Sequence, residues 1–357
     1  MILVCGGLAD AVTELVCARL QHCDYPYRLL DLARYPDGYR LAWRWTTPGP
    51  VGVITGPGWS VDLDEITGVY VRFLGPEGRL PPKGVPEDAA ALQYEADAGL
   101  MALLDDLPCP VVNRLGGGMS NNSKPYQSLL IRRAGLKVPP TLVTSDPAAV
   151  RAFQAEYGDL IYKSASGIRS IVRRLGPDQS DRLAFLAHGA AQFQAFIPGQ
   201  NVRVHTVGDE IFATLIETEA VDYRYAHNER LDVAMEPVNV PIPIADACRQ
   251  AARDLDLIFA GIDLKRTPDG DYFCFEVNPC PGFIYYERHT GQPISTALAD
   301  LLHTPARTAP HGSVSETHPA RKEDQDGRKR QQRDTEGALR VPGRPSRGPV
   351  EVRHSAD

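Results

Sequence analysis

Short apolar runs alternate with longer amphipathic stretches over the first 120 residues. The runs predict β-strands, and the stretches, whose apolar residues recur every three to four positions, predict helices. The predicted strands are Ile2–Cys5, Tyr27–Asp31, Tyr39–Thr46, Val51–Thr55, Val69–Phe73 and Val111–Asn113. The predicted helices are Ala9–Gln21 and about Pro86–Leu107. This alternation is typical of a small α/β domain with a parallel sheet, to which the third and fourth strands add a hairpin.

After Lys124 the pattern predicts a denser α+β arrangement. Helices are expected at Pro125–Gly135, Ala148–Glu156, Ala245–Leu255 and Ser295–Leu302. Strands are expected at Pro139–Val143, Leu160–Ser164, Ser170–Arg174, Gln192–Ile197, Asn201–Val207, Glu210–Glu217, Asp263–Arg266 and Tyr272–Asn278. Turn residues at Gly208–Asp209 and at Pro268–Gly270 predict that the last four strands form two hairpins.

The composition changes near residue 303. Residues 304–357 contain no aromatic residue, no isoleucine and a single leucine, with 11 Lys and Arg against 8 Asp and Glu. Such a segment cannot bury enough apolar surface to offset the entropy lost on ordering, so we predict a disordered tail. Its basic cluster at Arg328–Arg330 is more typical of a solvated tail than of a binding site.

Charge and cysteine usage narrow the class of protein. The net charge of −7 argues against a nucleic-acid-binding protein, which needs a basic face. Seven scattered cysteines without a Cys-x-x-Cys pair favour a reducing cytoplasm over a disulfide framework or a zinc site. No apolar run approaches the length of a membrane helix, and the N-terminus resembles a first strand more than a secretion signal. We therefore expect a cytoplasmic protein without membrane partners.

The most informative segment is the strand pair between residues 261 and 283. Side chains two residues apart share one face of a strand, so Glu276 and Asn278 should point the same way, with Asp263 facing them from the paired strand. Two carboxylates and an amide oxygen suit a hard cation such as Mg²⁺, which commonly serves nucleotide chemistry. The alternative is a solvent-facing aspartate beside an ordinary strand end, but Asp and Asn are depleted from strands.

Two lysines and an extended segment supply the other parts of a nucleotide site. Lys163 ends an apolar strand before a short loop at 164–167, and Lys124 stands where a helix is expected to begin, so both can hold phosphate. The segment Gln194–Asn201 is a candidate hinge whose backbone can pair with the edge of an adenine ring. Each feature alone is weak, because most lysines are merely solvated.

Taken in order, these motifs resemble those of the ATP-grasp superfamily over roughly residues 1–303. The closing series Glu276-Val277-Asn278-Pro279-x-Pro281-Gly282 is the most specific of them. The branch it resembles is that of glutathione synthetases and ribosomal-protein glutamate ligases, which includes microviridin-type peptide maturases. The resemblance implies four regions. They are a pre-ATP-grasp α/β domain at 1–120, a central phosphate-loop lobe at 121–193, a C-terminal lobe with the metal site at 194–303, and the tail at 304–357.

The resemblance also implies roles for individual residues. Phosphate contacts would come from Lys124, Lys163 and the loop residues Gly167 and Arg169. Adenine would be bound by the Ala195 carbonyl and the Ile197 amide with Gln194 beside them, and ribose near Asn201. Two Mg²⁺ ions, or Mn²⁺ in their place, would be ligated by Asp263, Glu276 and Asn278.

Two departures from the family pattern affect the nucleotide site. The family often has glutamate where this chain has Gln194, and an acid where it has Asn201. Both substitutes can hydrogen-bond, so nucleotide binding is expected while the base preference is open. The phosphate loop holds the single glycine Gly167, and Arg169 would supply the charge that backbone amides supply elsewhere.

The chemistry implied is ATP-dependent amide formation. A substrate carboxylate attacks the γ-phosphate to give an acyl phosphate, which an amine then opens, with Arg203 and Arg224 as the candidate catalytic residues. No nucleophilic side chain is required. Three hypotheses remain open: a ligase acting on a peptide, protein or amino-acid carboxylate, a kinase of a hydroxyl on the same scaffold, and a silent nucleotide-binding partner protein. The sequence leaves the carboxylate and the amine unidentified, and a homodimer is compatible with the resemblance.

Overall fold

The computed structural model describes residues 1–47, 49–72, 87–118, 123–164, 172–218 and 232–304. Its strands are β1 (Ile2–Gly6), β2 (Tyr27–Asp31), β3 (Arg40–Trp45), β4 (Pro50–Gly56), β5 (Trp59–Asp62), β6 (Gly68–Val71), β7 (Val111–Val112), β8 (Thr141–Thr144), β9 (Leu160–Ser164), β10 (Arg173–Leu175), β11 (Ala191–Ala195), β12 (Gln200–Val207), β13 (Glu210–Glu217), β14 (Ala234–Val238), β15 (Phe259–Arg266) and β16 (Tyr272–Asn278). The α-helices are α1 (Ala11–His22), α2 (Glu87–Asp105), α3 (Leu115–Gly118), α4 (Lys124–Arg133), α5 (Pro147–Tyr157), α6 (Ile242–Asp254), α7 (Ile284–Thr290) and α8 (Ile294–His303). Short 3-10 helices span Leu63–Glu65 and Pro177–His188.

The N-terminal region contains the predicted parallel sheet, in the order β2-β1-β6-β7. Every residue of β1 is buried, as expected for a central strand covered on both faces. One face packs against α2, and the other packs against α1 and α8. Asp10 directly precedes helix α1, and its carboxylate accepts a hydrogen bond from the amide of Thr13 at 2.8 Å and so caps the helix.

The predicted hairpin is not added to this sheet. Strands β3, β4 and β5 form a separate three-stranded antiparallel sheet in that order. The chain turns again after Gly56 and returns along β4, so β5 pairs with β4 as the third strand of this separate sheet. The sequence prediction was wrong here because the four residues of β5 are too few to show a clear alternating pattern.

The central sheet is antiparallel in the order β10-β9-β11-β8. The face of this sheet that carries Leu160 and Phe193 has a core of its own, which α5 and the 3-10 helix at 177–188 complete. The members of this core are Val150, Leu160, Leu175, Leu183, Leu186 and Phe193. Only part of the strand predicted at Ser170–Arg174 falls within the described residues, where β10 starts at Arg173.

The C-terminal sheet has five strands in the order β14-β13-β12-β15-β16. Both predicted hairpins are present in it, and β14 and α7 were not predicted. One face packs against α4 and α6 through a continuous apolar core. On the opposite face, the end that carries Val207, Phe212 and Phe259 packs under α7 and α8, and the other end carries the polar residues considered below.

The apolar cores cross the predicted domain boundaries. One core contains Ile2 and Val4 of β1 together with Leu298 and Leu302 of α8. The division into four regions stays a prediction. The predicted disordered tail lies outside the described residues from 305 onward. No helix in the described part of the chain is long and apolar enough to cross a membrane.

Candidate functional site

The acidic strand pair forms a patch on the C-terminal sheet. Asp263 of β15 lies directly opposite Glu276 of β16, and Asn278 shares the face of Glu276. The Asn278 amide donates from Nδ2 to Asp263 Oδ2 at 3.2 Å. A β-bulge follows Asp263 in the register, a feature often found beside functional sites. The three side chains thus lie together, as the strand pattern predicts, and their role as metal ligands stays a prediction.

Arg203 of β12 lies beside this patch. It is only 5% exposed, and its Nη1 donates to Asp263 Oδ1 at 2.7 Å. The guanidinium passes over Gly261, where a Cβ atom would lie 2.1 Å from Nη2. Gly261 is therefore required for this arginine to reach Asp263 across the strand. The arrangement places a buried cation where charge on a phosphate or carboxylate can be stabilised.

Lys124 reaches the same patch from α4. Its side chain is 3% exposed, and Nζ lies 3.9 Å from Glu276 Oε1. One helical turn later, Gln127 donates from Nε2 to the carbonyl of Val277 at 2.8 Å and accepts from its amide at 3.0 Å. Gln127 thus replaces a strand partner on the edge of β16 and fixes the helix whose first residue is Lys124.

Lys163 and two glutamines lie on the face of the central sheet opposite to the one that carries Leu160 and Phe193. Lys163 of β9 is opposite Gln192 of β11, and Gln194 follows Gln192 on the same face. Among the described residues, no hydrogen-bond partner is found for either amide atom of Gln192 or for Oε1 of Gln194, and all three atoms are buried. Since buried polar atoms in proteins are normally paired, these amides indicate a face built to receive a polar ligand.

The predicted hinge links the central and C-terminal sheets. Ala195 ends β11, and its amide is bound to the Pro140 carbonyl at 3.0 Å. The Ile197 amide makes no hydrogen bond within the described residues, which leaves it available to a ligand. Asn201 lies on β12 directly opposite Lys265 of β15, so both side chains lie on the face that carries Asp263.

The loop that follows β16 is held by the N-terminal sheet. Asn113, which follows β7, donates from Nδ2 to the Pro279 carbonyl at 2.5 Å. Arg72, which follows β6, donates from Nη1 to the carbonyls of Cys280 at 3.1 Å and Pro281 at 3.3 Å. Three consecutive carbonyls of the loop therefore accept hydrogen bonds from side chains at the carboxyl edge of the parallel sheet. The sequence analysis missed both residues, although that edge is where functional side chains of parallel sheets commonly lie.

Two titratable side chains near the site have lowered pKa values. Complete burial holds the pKa of His205 well below its usual range, and the positive charge of Arg203 acts in the same direction. Burial also lowers the pKa of Lys265. In both side chains, burial destabilises the charged form relative to the neutral one.

Three predicted site residues cannot be located. Gly167, Arg169 and Arg224 lie outside the described residues, and their roles stay predictions.

The described residues fit a hard cation and a nucleotide. The side chains of Asp263 and Glu276 are 20% and 15% exposed and, with the Asn278 oxygen, offer the ligand atoms that Mg²⁺ prefers. Among the described residues, no group of three or more His, Cys, Asp and Glu side chains could hold a metal ion by itself. Mg²⁺ usually binds one or two carboxylates and completes its shell with phosphate and water.

The sequence of this region matches a known protein family. Residues 124–302, half of the chain, match the model of the RimK-like ATP-grasp domain. The chain belongs to the RimK-like ATP-grasp family. The matched residues begin at Lys124 and end within α8, so they include the hinge and every described residue of the predicted site.

Two curated relatives match part of the chain. The D-alanine–D-alanine ligase of Sodalis glossinidius (strain morsitans) is 29% identical over 209 residues, which are 52% of this chain and 56% of that protein. The probable alpha-L-glutamate ligase 2 of Shewanella amazonensis (strain ATCC BAA-1098 / SB2B) is 27% identical over 119 residues, 33% of this chain and 39% of that protein. The chain thus covers less than two thirds of the length of either relative.

Among solved structures, the RimK-like chain is similar to the ATP-grasp ligase PsnB over most of both proteins. PsnB in complex with a phosphomimetic variant of its minimal precursor, Mg and ADP has a TM-score of 0.70 and 27% identity, and the match covers 84% of this chain and 97% of PsnB. PsnB with precursor peptide PsnA2 and AMPPNP has a TM-score of 0.67 and 26% identity, covering 84% and 95% of the two chains. The predicted family and the predicted mixed α/β ATP-grasp fold are confirmed by these matches.

Proposed function

We propose that this chain is an ATP-dependent carboxylate–amine ligase that forms an amide bond through an acyl-phosphate intermediate. The observation that carries the proposal is the meeting of Arg203, Asp263, Glu276 and Asn278 on one sheet face, with Lys124 beside them. Buried cations next to a pair of partly exposed carboxylates suit phosphoryl transfer, in which stabilisation of developing charge is the protein's main task.

Different residues would bind the phosphate end and the adenine end of the nucleotide. Lys124 and Lys163, both almost fully buried, would bind phosphate oxygens, and the Ala195 carbonyl and Ile197 amide would bind the adenine edge. Arg203 would hold the transferred phosphoryl group or the substrate carboxylate beside it. Bound at Asp263, Glu276 and Asn278, Mg²⁺ would neutralise charge on the β- and γ-phosphates.

The balanced reaction has two steps. A substrate carboxylate oxygen attacks the γ-phosphorus and releases ADP, which gives the acyl phosphate. The amine nitrogen then attacks the acyl carbon, loses a proton and expels inorganic phosphate. Because the substrates themselves supply nucleophile and leaving group, the protein acts by positioning and by charge stabilisation.

A peptide or protein is the favoured source of the carboxylate. Support comes from PsnB, which was solved with a precursor peptide. The match covers 84% of this chain and 95% of PsnB. The two curated ligases, one of them a D-alanine–D-alanine ligase, match smaller shares of this chain, and they support an amino-acid carboxylate as the second candidate. A kinase acting on a hydroxyl is the alternative reaction, and it differs in releasing no free phosphate.

Calorimetry with ATP and Mg²⁺ tests the nucleotide site. The native chain should bind Mg·ATP, and Glu276→Ala should abolish or greatly weaken binding because it removes one of two carboxylates in the patch. Glu236→Ala, on exposed strand β14, is the matched control and should bind as the native chain does. A well-folded native chain that binds no Mg·ATP would overturn the proposal.

Product analysis then separates a ligase from a kinase. Candidate peptides and amines are incubated with the chain, ATP and Mg²⁺, and free phosphate and product mass are measured. Release of phosphate together with loss of one water from the joined substrates supports the ligase. A product heavier by one phosphoryl group, without free phosphate, would instead show a kinase.

A further inference from the structure

Lys265 is a cation on the site face that none of the roles above uses. It lies two residues after Asp263 on β15, so the two side chains share one face of the sheet. On the neighbouring strands it lies opposite Asn201 of β12 and Phe273 of β16.

An aromatic ring and an amide lie next to Lys265. Its side chain is half-buried, and Nζ lies 5.5 Å from the centroid of the Phe196 ring in the hinge. Within the described part of the chain, no carboxylate forms an ion pair with it. A partly desolvated ammonium group has three donors to satisfy, and a bound ligand can supply acceptor atoms for them.

The position of Lys265 on the sheet indicates which end of the nucleotide lies near it. The acidic patch, Arg203 and Lys124 mark where the phosphates would lie. Residues two apart on a strand are separated by about 7 Å, and Lys265 is displaced by this distance from Asp263 toward the hinge. On the proposed orientation it therefore faces the nucleoside end of the ligand.

We propose that Lys265 and Asn201 together bind the ribose hydroxyls, which makes Lys265 a determinant of ribonucleotide over deoxyribonucleotide binding. A hydroxyl both donates and accepts, and this pair offers both complements, since the Asn201 amide oxygen accepts and the Lys265 ammonium donates. Cross-strand partners have Cβ atoms about 5 Å apart, a spacing that lets both reach one sugar. The inference rests on the proposed function, because it requires ATP on this face.

Binding of sugar-modified nucleotides tests the inference. ATP, 2′-deoxy-ATP and 3′-deoxy-ATP are titrated in the presence of Mg²⁺ into the native chain and into Lys265→Met. The native chain should prefer ATP over at least one deoxy analogue by about tenfold, the usual effect of one hydrogen bond to a charged group. Lys265→Met should bind ATP about tenfold more weakly and bind that analogue almost as the native chain does, so the preference disappears.

Controls separate sugar recognition from a general loss of structure. Asn201→Ala should reduce the same preference, and Lys265→Gln, which keeps a donor, should retain part of it. Lys137→Met removes a different, exposed lysine that pairs with Asp271 at 2.7 Å, and should leave the preference unchanged. Thermal unfolding confirms that each variant folds.

Two results would overturn the inference while leaving the nucleotide site intact. Equal weakening of ATP and both analogues by Lys265→Met would show that the ammonium contacts another part of the nucleotide. Unchanged binding of all three would show that it contacts none. A native chain that binds no nucleotide would instead overturn the proposed function, and this inference with it.

Discussion

Gln127 pairs with Val277 as if it were the backbone of a neighbouring strand. Its side-chain amide donates to the Val277 carbonyl at 2.8 Å and accepts from the Val277 amide at 3.0 Å, and the glutamine is 1% exposed. Val277 lies between Glu276 and Asn278, so this bond fixes the strand segment that carries both. It also fixes α4, which presents Lys124 to Glu276.

Replacing Gln127 by alanine should therefore affect both stability and binding. The free energy of unfolding should fall by about 1–3 kcal/mol, because two buried backbone groups of Val277 lose their partner. Affinity for Mg·ATP should fall as well, since Lys124 and Glu276 are no longer held together. Chemical denaturation and calorimetry measure the two effects. Gln250→Ala removes an exposed glutamine of α6 that donates to Asp254, and should leave nucleotide affinity unchanged.

Gly261 should tolerate no side chain. In Gly261→Ala the new Cβ would lie 2.1 Å from Arg203 Nη2, so the guanidinium must leave Asp263. Loss of one charge-stabilising group commonly costs on the order of 10²-fold in turnover. Phosphate release should fall by about this factor while the chain remains folded. Gly99→Ala, in open space on α2, is the control, and equal activity of the two variants would contradict the assigned position of Arg203.

Stability should fall in mild acid because of His205. Its pKa is lowered in the folded chain by burial, so below its ordinary value of about 6.5 the unfolded state binds a proton that the folded state does not. The stability is present at higher pH and is lost as the pH falls through 6.5 toward the lowered value, by up to about 1.4 kcal/mol per pH unit.

Denaturant titrations between pH 5 and 8 measure this slope. In His205→Gln the slope should be smaller, because no group at this position titrates. His289→Gln, which changes an exposed histidine of α7, should keep the native slope. A native slope in His205→Gln would assign the acid sensitivity to another group.

The sequence predicts those parts of the fold that repeat a local pattern. Hairpins around Gly208 and Gly270 are correct because their turn residues and flanking alternation agree, and the pattern places Asp263 opposite Glu276 as the register does. The family and ATP-grasp fold follow from the ordered motifs and are confirmed by the family match. The individual ligand roles stay predictions.

The missed features depend on contacts between distant segments. Arg72 and Asn113 reach the loop after β16 across more than 160 residues of sequence in each case. Their positions at the carboxyl edge of the parallel sheet mark them as candidates, but only the fold shows which loop they contact. The sequence does not show that the side-chain amide of Gln192 has no partner among the described residues, because this depends on where the surrounding side chains lie. Periodicity describes which face a residue occupies and not which remote group it meets.

Helix α8 shares an apolar core with β1 and α1, and the Leu302 carbonyl lies so close to Gly68 that a Cβ there would be 2.4 Å away. The central sheet, by contrast, has a core of its own. The two ends of the folded region should therefore unfold as one cooperative unit, so that a fragment ending at residue 120 would expose the surface that α8 covers. Any opening that admits nucleotide is then expected to move the central sheet about the predicted Gln194–Asn201 hinge, while β1, α1 and α8 stay packed together.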